Sequence, residues 1–352
     1  EYLVSEAMHT LGVPTTRALA AVTTGEGVAR RDMSEGAILT RVARSHIRIG
    51  TFEYFAAQND FTAVKKLADF VIERHYPQVR AQANPYVALL QEVVKRIASL
   101  VAHWMSLGFI HGVMNTDNML VSGETIDYGP CAFMDYFNPS KVYSSIDRHG
   151  RYAFDQQPAI AQWNLLCLAQ ALLPLIDDSD TEAMAAAQQA INQFTDVFET
   201  QYYCLMNKKL GLNSEPLKNK ALVQNLLTLM AQTEMDYTLT FRYLTDQSCG
   251  EQTLDYLKYI TLPDGFETWL AQWQAENKNI NSDMMVQNNP IYTPRNHLVE
   301  EVIQRMSKDK DTESFKGLLN LLTNPYQLQP NSLSYQIPPT PTQVVEKTFC
   351  GT

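Results

Sequence analysis

The sequence predicts an α+β fold, in which a small part containing β-strands precedes a larger, mostly helical part. The first observation is an amphipathic stretch, Glu1 to Leu11, which is followed by two strand-like runs. The second is that apolar residues recur at helical spacing through most of the chain after Thr51. The third is an apolar run from Phe109 to Pro130 that carries two clusters of polar residues and therefore marks a candidate functional site.

Length and composition are those of a globular protein with a large core. The chain has 352 residues, of which 45% are hydrophobic and 19% charged, and this predicts one large domain or two closely associated ones. A net charge of −10 argues against nucleic acid as a partner, because phosphate neutralisation requires clustered Lys and Arg. The longest apolar run, Leu165 to Ile176, contains Gln170 and Pro174, so no membrane span is expected.

The five cysteines are scattered without a CxxC pair. This spacing is typical of a reducing compartment and argues against a thiolate zinc site. The chain begins at Glu1 inside an amphipathic pattern, so we expect it to belong to a longer protein. We expect a cytoplasmic location in a bacterium, or a mitochondrial one in a eukaryote, and a monomer.

The N-terminal part is predicted to contain one helix, two strands and a hinge. The helix over Glu1 to Leu11 ends at Gly12, and strands over Ala18 to Thr24 and Gly36 to Val42 are joined at a Gly-Glu-Gly turn. That turn is too short to cradle a phosphate, and the sequence contains no GxGxxG or Walker motif. Thr51 is the predicted N-cap of the next helix.

The larger part is predicted to be helical from its apolar spacing. A stripe from Val87 to Trp104 forms the expected spine of a lobe, and Ala159 to Ile176 is expected to be buried, with Asn164 bonded to neighbouring backbone. Segment 133–154 is predicted to be a loop. Leu67, Phe70, Val71 and Tyr76 mark a further helix. Other helices are predicted over residues 181–206, 218–233, 266–276, 299–306 and 315–322, before an extended tail from residue 327.

The two polar clusters are connected by a predicted β-hairpin. Met119 to Val121 and Thr125 to Ile126 have the character of short strands, joined at Ser122-Gly123. Such a hairpin brings Asn118 and Asp127 to the same end. An amide oxygen and a carboxylate suit a hard divalent cation, and Mg²⁺ that holds phosphates is the usual case.

The spacing of these residues is that of a protein-kinase site. Kinases carry His-Arg-Asp, four further residues and a metal-binding Asn, and later Asp-Phe-Gly. Here Asn118 lies seven residues after His111, and Asp127-Tyr128-Gly129 follows the hairpin. Val113 occupies the position of the kinase base, so the metal-binding half is present and the proton-accepting half is changed. A solvated loop with a glycine turn is the alternative, but two motifs in register favour the kinase-like site.

The stretches HGVMNTDNM and TIDYGP resemble the selenoprotein O family of kinase-like protein adenylyltransferases. The resemblance covers nearly the whole chain, with further matching stretches at Ser5 to Leu19, Arg41 to Phe55, Gly150 to Leu165 and Asn289 to Ile303. It implies a protein-kinase-like fold with three parts. These are residues 1–56 as the remainder of an N-lobe, residues 57–260 as a helical C-lobe and residues 261–352 as a C-terminal extension.

The resemblance also implies a set of nucleotide-binding residues. Glu1 matches the helix glutamate that pairs with the nucleotide-site lysine of kinases. Arg41 and Arg48 match arginines that reach the phosphates of a nucleotide bound in a flipped orientation, a role that suits the guanidinium fork. Without the resemblance, these residues would be read as an exposed first-turn glutamate and as surface charges.

Asn118 and Asp127 are the predicted ligands of Mg²⁺ or Mn²⁺. Asp117 is the best candidate for the general base, because it is the only other carboxylate in the catalytic loop. Substrate orientation and a water-mediated contact to the metal are alternative roles for Asp117.

The reaction implied by the resemblance is transfer of AMP from ATP to Ser, Thr or Tyr hydroxyl groups of protein substrates. A kinase that transfers the γ-phosphate and a nucleotide-binding pseudokinase scaffold are the alternatives. Because kinase-like folds place the glycine-rich loop and the lysine upstream of the first helix, we expect this chain to be inactive without an upstream region.

The family places a selenocysteine or cysteine close to the C-terminus, where this chain has Cys350. Some members are thought to bridge that residue to a cysteine of the activation loop. The corresponding loop, Phe137 to Arg148, has no cysteine here, and Tyr143 stands near the position. A free thiol and a bridge between Cys350 and Cys131 remain alternatives.

Overall fold

A helix and a two-stranded antiparallel sheet begin the chain in the computed structural model, which describes residues 1–29, 33–276 and 280–349. Helix α1 spans Tyr2–Thr10, strand β1 spans Arg17–Ala29 and strand β2 spans Met33–Val42. The register pairs Arg17 with Val42 and Ala29 with Met33. Gly12, two residues past α1, has φ +82°, which ends the helix as its sequence predicts.

The prediction of a turn at Gly25-Glu26-Gly27 is wrong. These residues lie inside β1, at an irregularity in the strand register between Thr23 and Gly27. Gly25 has φ +74°, the left-handed conformation that glycine adopts in a β-bulge. Glycine in this strand therefore marks an interruption of the ladder and not the end of the strand.

The rest of the chain is mostly helical, so the predicted α+β class is confirmed. The kinase-like identity of the fold and the division into residues 1–56, 57–260 and 261–352 stay predictions. The further strands are β3, Phe109–Ile110, and β4, Ala132–Phe133. The helices are α2 Ile49–Ala57, α3 Phe61–His75, α4 Pro85–Ser106, α5 Gln157–Ile176, α6 Asp180–Lys209, α7 Lys220–Gln232, α8 Tyr237–Cys249, α9 Phe266–Glu276, α10 Ser282–Asn288, α11 Asn296–Asp309 and α12 Thr312–Leu322.

Helix α4 is the centre of the main core, as its apolar stripe predicts. Leu90, Val94, Ile97 and Trp104 are fully buried, and α4 packs against α5 and α6. Asn84 caps the helix by accepting hydrogen bonds from the backbone at residues 86 and 87. Because α4 ends directly before β3, this core fixes the position of the loop that carries the polar clusters.

Helix α1 belongs to two hydrophobic clusters at once. Val4 and Met8 pack into the main core, whereas Leu3 and Ala7 pack into a second cluster with residues of α11 and α12. The C-terminal helices therefore support the helix that carries Glu1 at its N-terminus.

Helices α8 and α10 were not predicted from the sequence. Helix α8 buries Thr238, Thr240, Thr245 and Asp246 together with its apolar residues, so it shows no clear apolar stripe. Its polar side chains are satisfied locally, as when Thr240 and Thr245 donate to carbonyls four residues earlier.

The expectation that no stretch is long enough to span a membrane is wrong. Segment 154–176, which contains α5, is 23 residues long, and by length and composition alone it could cross a membrane. Gln170 and Pro174 are uncharged and do not make the segment polar enough to fail this test of length and composition. A core helix passes the same test, and α5 packs against α2, α4 and α6.

Candidate active site

The loop that carries both polar clusters begins and ends at the pairing of β3 with β4. Phe109 lies opposite Phe133 in this pair. Gln157, at the start of α5, donates to the carbonyl of Phe109 at 3.0 Å and accepts from the backbone N–H of His111 at 3.0 Å. This positioning role of Gln157 could not be predicted from the sequence, because it depends on where the fold places α5.

His111 connects the catalytic loop to the segment that carries Asp127. Its ring is fully buried, and Nε2 lies 2.9 Å from the carbonyl oxygen of Ile126. Burial lowers the pKa of His111, so the ring is neutral, and Nδ1 accepts a hydrogen bond from the Val113 N–H at 3.4 Å. Nε2 is then the protonated nitrogen and donates to Ile126. His111 is therefore a positioning residue.

The predicted hairpin is present as an isolated antiparallel bridge between Met119 and Thr125. Ile49, the first residue of α2, donates its N–H to the carbonyl of Met119 at 2.9 Å, which joins the hairpin to this helix. Asn118 directly precedes one side of the bridge, and Asp127 follows the other side by two residues. The register therefore places both predicted metal ligands at the same end of the hairpin, as expected.

The two predicted metal ligands present oxygen atoms. Asn118 donates from Nδ2 to the carbonyl of Val113 at 3.0 Å, and no described residue donates to its Oδ1. Asp127 has φ +65°, a left-handed conformation that Asp and Asn adopt more readily than most residues. The side chain of Asp127 is 26% exposed. Both groups are thus available to a ligand.

Glu1 and Arg41 form an ion-pair network with the Asp127 segment. The Arg41 Nε donates to Glu1 Oε1 at 2.8 Å, and Arg41 Nη2 lies 3.6 Å from Asp127 Oδ1. Glu1 Oε2 accepts from the backbone N–H of Tyr128 at 2.9 Å. The expected partner of Glu1 was a lysine, and in this structure the partner is Arg41.

Arg48 lies at the junction between the hairpin and α2. The prediction that Thr51 is the N-cap is wrong, because Arg48 is the N-cap residue and Thr51 is the third residue of the helix, whose hydroxyl accepts from the Arg48 N–H at 3.3 Å. The Nε of Arg48 is buried and has no hydrogen-bond partner among the described residues. A buried donor without an acceptor is costly, and a phosphate oxygen would satisfy it.

Asp117 lies against the first turn of α2. It is exposed, in a 3-10 turn over Thr116–Asn118, and its carboxylate closely approaches Gly50. A Cβ atom added at Gly50 would lie 2.3 Å from Asp117 Oδ1. The absence of a side chain at position 50 therefore lets Asp117 lie where it does.

The donor set is one that Mg²⁺ or Mn²⁺ accepts. Among the described residues, no group of three or more His, Cys, Asp and Glu side chains is placed to hold a metal ion. A cation at Asn118 and Asp127 would therefore take its remaining ligands from phosphate oxygens and water, as Mg²⁺ commonly does.

The chain matches a family model described as "Protein adenylyltransferase SelO" over residues 1–323. The chain belongs to the SelO family. It is 48% identical over 360 residues to the "Protein nucleotidyltransferase YdiU" of Rhizobium etli and 49% identical over 358 residues to that of Bradyrhizobium diazoefficiens. These matches cover 100% of this chain and 72% and 73% of the relatives. The resemblance seen in the motifs is thus confirmed, and the chain is shorter than these SelO-family relatives.

The tail of this SelO-family chain returns to the loop after β4. Thr348 donates its N–H to the carbonyl of Tyr143 at 2.8 Å and accepts from the N–H of Ser145 at 2.9 Å. Cys350, the predicted bridging residue, lies outside the described residues. Cys131 is buried, and burial raises the pKa of its thiol to about 12. The disulfide between Cys131 and Cys350 stays a prediction.

The close approach of Gly50 and Asp117 gives a test of the role of Asp117. Gly50→Ala is expected to displace the Asp117 carboxylate and to lower the rate of nucleotide transfer about 10-fold to 100-fold, because a displacement near 1 Å has effects of this size. The thermal midpoint is expected to stay constant or rise, since Ala is the better helix former. Initial rates and thermal unfolding measure the two effects. An unchanged rate would show that Asp117 has no catalytic part.

Proposed function

We propose that this chain carries the active site of a protein adenylyltransferase that transfers AMP from ATP to Ser, Thr or Tyr hydroxyl groups, with Mg²⁺ or Mn²⁺. Membership of the SelO family supports nucleotidyl transfer to protein substrates. The observation that carries the proposal is the arrangement at one end of the hairpin. Asn118 and Asp127 share that end, and Arg41 and Glu1 reach the Asp127 segment.

In the proposed reaction, a substrate hydroxyl oxygen attacks the α-phosphorus of ATP. The bond from that phosphorus to the oxygen bridging the α- and β-phosphates breaks, AMP is joined to the hydroxyl oxygen and pyrophosphate leaves. When bound, the divalent cation neutralises phosphate charge and aligns the phosphates. Asn118 and Asp127 would hold it, and Arg48 Nε would donate to a phosphate oxygen.

The proton of the hydroxyl needs an acceptor within reach of the α-phosphate. Val113 replaces the kinase base, and its hydrocarbon side chain has no atom that can accept a proton. Asp117 is exposed next to the predicted metal ligand Asn118, and we assign the proton to its carboxylate. This assignment accounts for how an altered catalytic loop can still support transfer.

The test uses ATP labelled separately at the α- and γ-phosphates, with Mg²⁺ or Mn²⁺ and a bacterial lysate as acceptor. It is run on this chain and, in parallel, on the longer Rhizobium etli relative. Covalent label from the α-phosphate alone supports the proposal. Label from the γ-phosphate alone would establish a kinase and overturn it. ATP binding by both proteins without transfer from either position would instead support a scaffold.

A further inference from the structure

A polar cavity lies where the C-terminal ends of α1, α4 and α6 meet. Its volume is about 330 Å³, and His103, Lys208 and Lys209 are among the residues that line it. None of the described residues that line it is Asp or Glu. Glu1 is at the other end of α1, which at nine residues is roughly 14 Å long. The charged side chains that line the cavity are therefore cationic, and the cavity is separate from the site above.

Lys209 is buried without a counter-charge. Lys209 is 4% exposed. Its Nζ lies 4.3 Å from the ring centre of Phe241 and 5.9 Å from that of Tyr237. No described residue forms an ion pair with Nζ or accepts a hydrogen bond from it. Burial, helped by the positive charge of Arg242, lowers the pKa of Lys209 to about 7.

His103 also lines the cavity. Its Nδ1 is buried and has no hydrogen-bond partner among the described residues. Burial lowers the pKa of His103, and the nearby charge of Lys208 adds to the effect. A negatively charged ligand would oppose the lowering of both pKa values, because it favours the protonated forms of Lys209 and His103.

A favourable interaction with the C-terminal end of α6 explains the presence of Lys208 and Lys209 only in part. Lys208 and Lys209 form the last turn of α6, where cations are favourable. The carbonyls there already have donors, however, since Asn289 Nδ2 donates to the carbonyl of Lys209 at 2.8 Å and the Gly211 N–H donates to that of Lys208 at 3.2 Å. The group still missing at Lys209 is an acceptor.

We propose that this cavity binds a small oxyanion, the phosphate or carboxylate group of a metabolite, through Lys208, Lys209 and His103. The cavity volume lies at the lower end of the range for small-molecule sites, so it suits a compact ligand. Because the cavity is separate from the hairpin, oxyanion binding there does not require the adenylyl transfer proposed above.

The test measures binding of sodium phosphate, and separately of sodium acetate, by calorimetry at constant ionic strength. Phosphate is expected to bind the wild-type chain. Lys209→Met and Lys208→Gln are expected to weaken it about tenfold or more, as loss of a charged hydrogen bond does. Lys218→Gln, an exposed lysine outside the cavity, is the matched control and should bind like the wild type. If acetate binds as tightly as phosphate, the cavity is a general oxyanion site. If acetate does not bind, the cavity is a phosphate site.

A second measurement needs no substitution and guards against misfolding of Lys209→Met. An amine-reactive acylating reagent at pH 7 should label Lys209 in the wild-type chain, and the oxyanion that binds should slow this labelling. Failure of both anions to bind the wild type, binding unaffected by Lys209→Met, or labelling of Lys209 that the bound anion does not slow would each overturn the proposal.

Discussion

Replacement of Asp127 by Asn is expected to abolish AMP transfer while leaving the fold intact. Asn has the size of Asp and tolerates the φ of +65° at this position, so the backbone is preserved. The substitution removes the only carboxylate that we assign to the metal. Stabilisation by a metal ion is worth several kcal/mol, so transfer should fall about 1,000-fold or more. Initial rates of label transfer from the α-phosphate of ATP measure the loss, in this chain if it is active and otherwise in a form extended upstream.

The fold should be nearly unaffected by this substitution. The Arg41–Asp127 pair has an N–O distance of 3.6 Å between side chains that are 28% and 26% exposed, and such pairs contribute less than about 1 kcal/mol. Asp264→Asn, at an exposed loop position, is the matched control and should transfer AMP like the wild type. Full transfer by Asp127→Asn, with unchanged Mg²⁺ dependence, would show that the metal lies elsewhere.

The parts of the site that the sequence predicted depend on short separations along the chain. Asn118 and Asp127 flank a hairpin whose length alone brings them to one end, and the bridge of Met119 with Thr125 has that register. The buried stripe of α4 was likewise predicted from local spacing, because one helical face determines which residues enter the core.

The contacts that the sequence could not predict join segments far apart in the chain. Arg41 pairs with Glu1 across 40 residues, and Gln157 bonds to His111 across 46. No periodicity encodes such pairs, since they depend on how the helices pack. The bulge at Gly25 shows the same limit, because a glycine favours a turn and a strand irregularity equally.

A buried ion-pair network around Arg295 connects four parts of the chain. The Arg295 guanidinium donates to Asp135, which follows β4, and to both carboxylate oxygens of Asp236, at 2.7 and 3.0 Å. It also donates to the carbonyl of Gln336 in the tail at 3.1 Å. Asp236 in turn caps α8 by accepting from the Leu239 N–H at 2.8 Å. The Arg295 guanidinium is therefore the cation that pairs with both the Asp135 and the Asp236 carboxylates.

Arg295→Leu is therefore expected to destabilise the fold by about 3–5 kcal/mol, because it leaves two buried carboxylates without a partner. The thermal midpoint should fall by roughly 10 °C. Arg305→Leu is the matched control, within helix α11, whose N-cap residue is Arg295. Arg305 pairs with Glu301 but is 52% exposed, so its loss should cost less than about 1 kcal/mol. A similar loss for both variants would contradict the role of Arg295.

The destabilisation by Arg295→Leu should also depend on pH. Burial, together with the charge of Asp236, raises the pKa of Asp135 from 3.8 to about 6, although Arg295 opposes the shift. The folded protein thus holds a proton between about pH 4 and 6 that the unfolded chain has released, so its stability decreases as the pH rises through this range. Without Arg295 the pKa of Asp135 should rise further. The loss measured by denaturant unfolding should then be larger at pH 8 than at pH 5, whereas equal losses would show that Asp135 does not titrate with the network.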